Sequence, residues 1–542
     1  MRNPCLEIFA YAVVVTATLA VAQQQTGTRG VPSVHTVVNF ADLAKLRPQA
    51  PVTPQQRVVP RIPMPARNRL LPPAPLTPPI AAPQAAPSPR APSSAPIANF
   101  DAQDDNGLII PPDTMGAVGP NHLVVPLNSG IRIQTKTGTA VGTIQTLDNF
   151  WLSTGATHVF DPRMLYDPYN NRWIFSAASD AASANSSLLI GVSTTNDPTG
   201  TWHLWRIPAD TQGTSWADYP GLGFNSKWIV ASVNMFTNTN NSFVSTKTYV
   251  FSAADLYAGG AGAFKLFIGE NDASGVDFTW VPAASYDPTQ TTEYLVQDWD
   301  GSHSQLKLGS ITGAIGSETL TTDIFPAGSS TWLSCPTTNC SNLDFAPQLD
   351  DTHKINTGDS RILNFLYRAG SLWAAQTVFL PFASPTHTAA QWWQFQPDGT
   401  VLQFGRVEDA NAAVFYAYPS IAVNKNGDAL LGFSSFSSTQ YASAGYAFRA
   451  AADASNTMRD SGILKAGLAP YFKTFSGTEN RWGDYSATMV DPVNDLDFWT
   501  IQEFAGLGDT APCSQASCWG TWWGHFAVSP ATKKRHGQTT SF

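Results

Sequence analysis

From about residue 99 onward, apolar residues alternate with polar ones or run unbroken for about five positions, the usual strand length. Clusters of Gly, Pro, Asn and Asp separate these runs. Such short runs between turn residues predict strands, and no stretch keeps the 3.6-residue period of a long amphipathic helix. One phrase recurs seven times, beginning with 118–127 (VGPNHLVVPL), 166–176 (YDPYNNRWIFS), 224–232 (FNSKWIVAS) and 286–297 (YDPTQTTEYLVQ). Three further copies lie at 367–376 (YRAGSLWAAQ), 423–433 (VNKNGDALLGF) and 490–502 (VDPVNDLDFWTIQ). Each is an apolar residue, a turn, and an aromatic or β-branched run, which predicts a hairpin. The copies start about 50–80 residues apart, the span of a four-stranded sheet with its loops. The pattern therefore predicts an all-β, seven-bladed β-propeller, each phrase joining the two innermost strands of a blade.

One blade can be traced in full, with strands at 160–166, 173–177, 187–193 and 202–207. A strand within 99–108 or 519–528 is expected to complete the last blade, because closing the ring removes exposed strand edges. Folding is expected over 99–530, followed by a disordered basic tail, 531–542, that contains Lys533, Lys534, Arg535 and His536.

The first hundred residues are different. Arg2 and an apolar run at 8–22 ending Ala20-Val21-Ala22 predict a signal peptide, 1–22, cleaved before Gln23. Residues 23–47 are weakly patterned, with room for a helical turn at 39–46. Residues 48–98 are dense in Pro and predict an extended, disordered linker. Export leaves two C-x4-C pairs, Cys335/Cys340 and Cys513/Cys518, which predict two short disulfides in an oxidising compartment. A formal charge of −9 argues against nucleic acid as a partner, and no later stretch predicts membrane insertion. The expected location is extracellular.

Residues 193–202, Ser-Thr-Thr-Asn-Asp-Pro-Thr-Gly-Thr-Trp, sit between a third and an outer strand. They resemble the Asp-box turn of the sialidase-like propellers, Ser-x-Asp-x-Gly-x-x-Trp, with one extra residue on each side of Asp197. The resemblance covers about a dozen residues. It implies the propeller fold and places this turn away from any active face.

Parallel inner strands bring the residues just before them to one end of the ring, opposite the hairpin phrases. Counted back five residues from each phrase, these positions are Asp113, Asp161, Tyr219, Val281, Ile362, Tyr418 and Tyr485. Asp218 and Asp484 precede two of the tyrosines, and Asp359, Arg163, Arg361, Arg481 and Trp482 fall nearby. Ends of second strands add Gln376, Gln297, Asp298, Gln502 and Glu503 to the same mouth, with Asn128, Asp180 and Asn234 as further candidates. Rings, carboxylates, amides and guanidiniums together suit an extracellular polysaccharide or glycoconjugate.

Two carboxyls with separated pKa values would support glycosidic hydrolysis. The catalytic candidates are Asp113, Asp161, Asp218, Tyr219, Asp484, Tyr485 and Glu503. The substrate-binding candidates are Arg163, Asp298, Asp359, Arg361, Gln376, Tyr418, Arg481 and Trp482. Sialidases hold three arginines, a tyrosine and an aspartic acid in a similar ring, which Arg163, Arg361, Arg481, Tyr219 or Tyr485, and Asp113 or Asp161 imitate. A polysaccharide lyase using Tyr or His with Arg, and a non-catalytic lectin or adhesin, are the alternatives. Acids at strand starts can also simply bind backbone N–H groups and tie blades together. No cofactor is required and no metal-ligand spacing is present. The oxygen-rich 101–107 and the Asp350-Asp351 pair are candidates for structural calcium.

Overall fold

The computed structural model describes residues 24–45, 56–62, 64, 91–271, 275–337 and 340–528. The signal-peptide run, most of the Pro-rich tract and the basic tail lie outside the described residues. The regular structure of the rest is almost entirely strand, with three α-helices of four or five residues among the described residues. No helix among them is long and apolar enough to cross a membrane.

All seven hairpin phrases join the first two strands of an antiparallel unit. The fully traced example holds, with strands at Phe160–Asp167, Arg172–Ser179, Ser187–Ser193 and Thr201–Pro208 in that order. The inner strands contact one another in a closed cycle. Ala117–Val118 meets Phe160–Asp167, and the contacts pass through Ser215–Phe224, Val281–Pro282, Ile362–Arg368 and Val414–Val423 to Ala487–Val490, which returns to Ala117–Val118. The sheets thus form a propeller-like ring about an axis.

Closure uses both expected segments. Cys518–Phe526 is the third strand of the last unit, and Ala98–Asp104 pairs with it as the fourth. Strand centres are buried on both faces because each sheet packs between neighbours, so they read as near-continuous apolar runs. Gly119 in the first phrase lets the indole of Trp173 approach. A Cβ there would lie 2.4 Å from the ring. Both disulfides, Cys335–Cys340 and Cys513–Cys518, are formed.

Two expectations for the N-terminal segment are corrected. Residues 24–39 are not weakly structured. Gln24–Thr26, Thr28–Gly30 and Val34–Asn39 each add an outer strand, to Ser317–Ile324, Phe264–Ile268 and Thr201–Pro208 respectively. Strands of three residues are too short to show a period, and it is the free outer edges of the sheets that order them. The Pro-rich tract is likewise no mere spacer where it is described. Arg57–Val58 pairs in parallel with Ile109–Ile110, and Val59 and Met64 are buried.

The Asp-box-like turn is structural, as its resemblance implies. Asp197 Oδ1 accepts from the Thr199 N–H (2.9 Å), and the buried Trp202 donates Nε1–H to Pro198 O (2.9 Å).

Candidate functional site

Five of the seven inner strands carry the same local device, within the strand or just before it. Asp113, Asp161, Tyr219, Thr279 and Tyr418 all have φ between 52° and 58°, in the left-handed region. The strand pairing shifts register just past Asp161, Tyr219 and Tyr418, so each marks a bulge that turns a side chain toward the axis. Three of the five are followed by Pro. The strain is held by neighbours, since the end of one unit's second strand accepts the N–H of the next unit's bulge. Asn128 Oδ1 takes that of Asp161 (2.8 Å), Asn234 Oδ1 that of Thr279 (2.9 Å) and Thr377 Oγ1 that of Tyr418 (3.0 Å). Asp161 Oδ2 itself accepts the N–H of Tyr219 (3.2 Å).

The acids, phenols and guanidiniums do converge at one end of the axis. Asp113 accepts from Asn128 Nδ2 (2.6 Å), Asp484 from Arg481 (3.0 Å), and Glu503 from Thr114 Oγ1 (3.3 Å). The rings of Tyr219 and Tyr485 meet edge to face at 6.0 Å. Arg163 lies over Tyr485 (3.4 Å) and Arg361 over Tyr219 (4.4 Å). The phenol hydroxyls donate to backbone carbonyls, Tyr219 to Asp484 O (3.2 Å) and Tyr485 to Pro162 O (3.0 Å).

Several predicted substrate contacts are structural. Gln376 binds Ser360 O (2.9 Å) and the Trp393 indole (2.9 Å) inside its sheet. Asp298 accepts from Ser360 Oγ (2.7 Å), and Tyr418 donates to Asn356 O (3.0 Å). Trp482 is fully buried, bonded to Ser434 Oγ (2.9 Å). Asp359 holds Arg361 in a two-point pair (2.7 and 2.8 Å). Gln297 accepts the Phe278 N–H (2.8 Å), and Asp180 accepts from Thr157 Oγ1 at the outside (2.6 Å).

As a catalytic mouth the cluster requires correction, because it is sealed. Asp113, Asp161, Asp218 and Glu503 are 0%, 1%, 4% and 3% exposed. The space beside Tyr219, Tyr418 and Asp484 is about 10 Å³, at most one water. Residues 56–62 lie across this end as a strap. Arg481 donates to Val59 O (3.2 Å), Arg361 to Ile62 O (3.4 Å), and Arg61 forms a two-point pair with Glu479 (2.6 and 2.9 Å). The carboxylate oxygens of Asp113, Asp161 and Asp484 lie within 4.8 Å of one another, leaving no room for a sugar between them. Nothing in the Pro-rich composition signals where the strap docks.

Burial dominates the electrostatics here. It pushes Asp113 and Asp161 well above the usual carboxylate range, reinforced by neighbouring acids, and it raises Glu503 likewise. Asp218 is pushed up to about 7 by burial and then by Asp484. Burial also raises the phenols of Tyr219 and Tyr485, so neither is a base near neutral pH. The folded protein therefore keeps protons that the unfolded chain, titrating near 4, has already released. Stability is expected to fall as pH rises from about 4 through 7, in buffer free of divalent cations that could replace those protons. Thermal melts across that range check this; a midpoint that stays level or climbs would contradict it.

A second space lies at the other end of the axis. A pocket of about 290 Å³ opens among the hairpin phrases and runs down between the inner strands. Its floor includes Arg163, Leu363, Ser420 and Ser486, and its shaft Met164, Leu222, Phe365, Ile421 and Met489. Tyr169, Tyr286, Pro168, Pro492 and the Arg368–Asp495 ion pair form the rim. Tyr169 is 42% exposed. Asp495 is the one carboxylate in the lining. Apart from Arg163, none of these was a candidate from the sequence, because the expected mouth lay opposite the hairpin turns; Tyr169, an aromatic residue within a turn, was the available signal.

The oxygen-rich candidates for calcium are met by side chains. Asp101 pairs with Arg132 (2.7 Å), Asp105 with Lys473, and Asp350 accepts from Tyr441 (2.6 Å).

No family model matches the chain, and no curated protein does. Among solved structures it is similar to a subtype N11 neuraminidase-like protein of A/flat-faced bat/Peru/033/2010, with 8% identity over 69% of this chain and 88% of the other, and a TM-score of 0.32. It is similar to the phage phi92 endosialidase at 9% identity over 84% and 71%, with a TM-score of 0.33. A protein of unknown function from Dyadobacter fermentans matches at 10% identity over 79% and 99%, with a TM-score of 0.34. Likenesses this loose transfer no activity to the chain.

Proposed function

We propose that this is an exported, seven-bladed β-propeller that binds an extracellular glycoconjugate in the axial pocket of its hairpin face. The sugar rests on the rim, against Tyr169, Tyr286 and the Arg368–Asp495 pair. An apolar aglycone or acyl group descends the shaft, and Arg163 meets a carbonyl or carboxylate at its end. One contrast carries this conclusion: about 290 Å³ of open, mostly apolar pocket at one end, against about 10 Å³ beside the acids at the other. Aromatic and Pro faces with a few polar groups suit sugar rings, and methionine and branched side chains suit hydrocarbon.

Binding rather than hydrolysis follows from the acids. The pocket lining offers a single carboxylate, already paired with Arg368, where hydrolysis needs two with a substrate between them. A lyase would need a free base, and burial raises the phenols instead. A hydrolase remains a second proposal, favoured by Asp218, which sits near 7 beside further acids. It requires the strap to leave.

The test is titration with alkyl glycosides of increasing chain length, below their micelle concentrations. Each buried methylene contributes about 0.8 kcal/mol, so affinity should rise about fourfold per carbon until the shaft is full. Met489→Trp, which fills the shaft, should abolish that dependence. Affinity indifferent to chain length would refute the pocket, and new reducing ends from a polysaccharide panel would favour the hydrolase.

A further inference from the structure

Several acids crowd the closed end of the ring axis. Asp113 precedes the first unit of the ring, Asp161 opens the second, and Asp484 lies just before the last. The backbone is left-handed at Asp113 and Asp161, and Asn128 joins the two residues, donating Nδ2–H to Asp113 Oδ2 and accepting the backbone N–H of Asp161. One oxygen from each of the three carboxylates lies within 4.8 Å of the others. Arg481 pairs with Asp484 from one side, while Arg361 is already held at two points by Asp359.

Separate from this trio, Asp218 is also buried, and its charge bears on Asp161 and Asp484. Its Oδ1 has no hydrogen-bond partner among the described residues, and neither have Oδ1 of Asp113 and Asp161. Buried carboxylate oxygens without a donor are costly unless something positive stands beside them.

We infer that Asp113, Asp161 and Asp484, with Asp218 beside them, bind a divalent, oxygen-seeking cation, calcium foremost, on the ring axis. All the donors are hard oxygens, which select calcium, magnesium or manganese over the softer metals. One oxygen from each of the three lies close enough to the others for a single ion to reach all of them. The ion joins the first two units to the last, so it clasps the ring beside its closure. Residues 56–62 cover it and keep solvent away. The site is independent of the ligand pocket at the other end.

Metal analysis of the protein purified without chelator should find one calcium per chain. After EDTA treatment, restoring 1 mM Ca²⁺ should raise the melting midpoint by about 5 °C or more, as expected for a ligand far above its Kd. Asp161→Asn and Asp113→Asn should each weaken the calcium response at least tenfold. In EDTA they should melt close to the parent, because each swaps a buried carboxyl for a neutral group of the same shape. The surface pair Asp350→Asn/Asp351→Asn should keep the full response. Parent protein with no bound metal and a calcium-independent midpoint would overturn the site, whatever the variants do. So would an undiminished response in both cluster variants, or its loss in the surface pair. Should the single variants fail to fold even with calcium, the metal content and calcium response of the parent decide the question alone.

Discussion

Replacing Lys473 by Met is expected to destabilise the protein by about 3–5 kcal/mol at neutral pH, the usual cost of stranding a buried charge. Lys473 and Asp105 are almost wholly buried and paired with each other. Asp105 ends the segment that closes the ring, and it also accepts the Gly107 N–H (2.7 Å) beside the Cys513–Cys518 disulfide. Burial pushes Asp105 up and Lys473 down, so desolvation offsets much of the pair's attraction. Removing the cation alone leaves the carboxylate with its desolvation cost and no counter-charge. The loss should therefore shrink as pH falls and Asp105 takes a proton, and Lys473→Met/Asp105→Asn should recover part of it. Urea denaturation of both variants at pH 7 and pH 5 is the measurement. Equal losses in single and double variants at both pH values would show that Lys473 acts through packing and not through charge.

The second large effect concerns the N-terminal segment. Phe40 and Leu43 are buried, and their four-residue helix is capped by Asn39, whose Oδ1 accepts the Ala41 N–H (3.0 Å). The helix docks on the Asp-box-like turn through Phe40 N–H to Gly200 O (2.9 Å) and Ala41 N–H to Thr199 O (3.0 Å). The Phe40 ring lies 6.1 Å from that of Phe150. Phe40→Ala should cost about 3–5 kcal/mol and Leu43→Ala about 2–5 kcal/mol, as for other large-to-small changes in a packed core. Chemical denaturation reports both directly. A loose leader would give no change in either midpoint or slope, and that result would refute the docking.

Much of the fold was legible along the chain because strands carry their own period. The seven turn phrases marked real hairpins, and the blade traced from 160 to 207 has its four strands where the alternation placed them. Both closing segments were expected from the need to close the ring, although only 519–528 carries a largely apolar run. The three N-terminal strands were not, because strands of three to six residues owe their order to the edges they meet.

The site was legible only as an inventory. Counting back from the phrases collected Asp113, Asp161, Tyr219 and Tyr485, and these do share one end of the axis. Their environment did not follow from the count. Whether an acid faces solvent, a backbone N–H or another acid depends on side chains from neighbouring units and on a strap some fifty residues before the first of them. By itself, the sequence determined the strands, the hairpins and which residues reach each end of the ring, because these depend on local period and chain direction. Only the tertiary structure decided that the acid end is closed and the hairpin end open. Access depends on what packs across each mouth, and no local pattern encodes that.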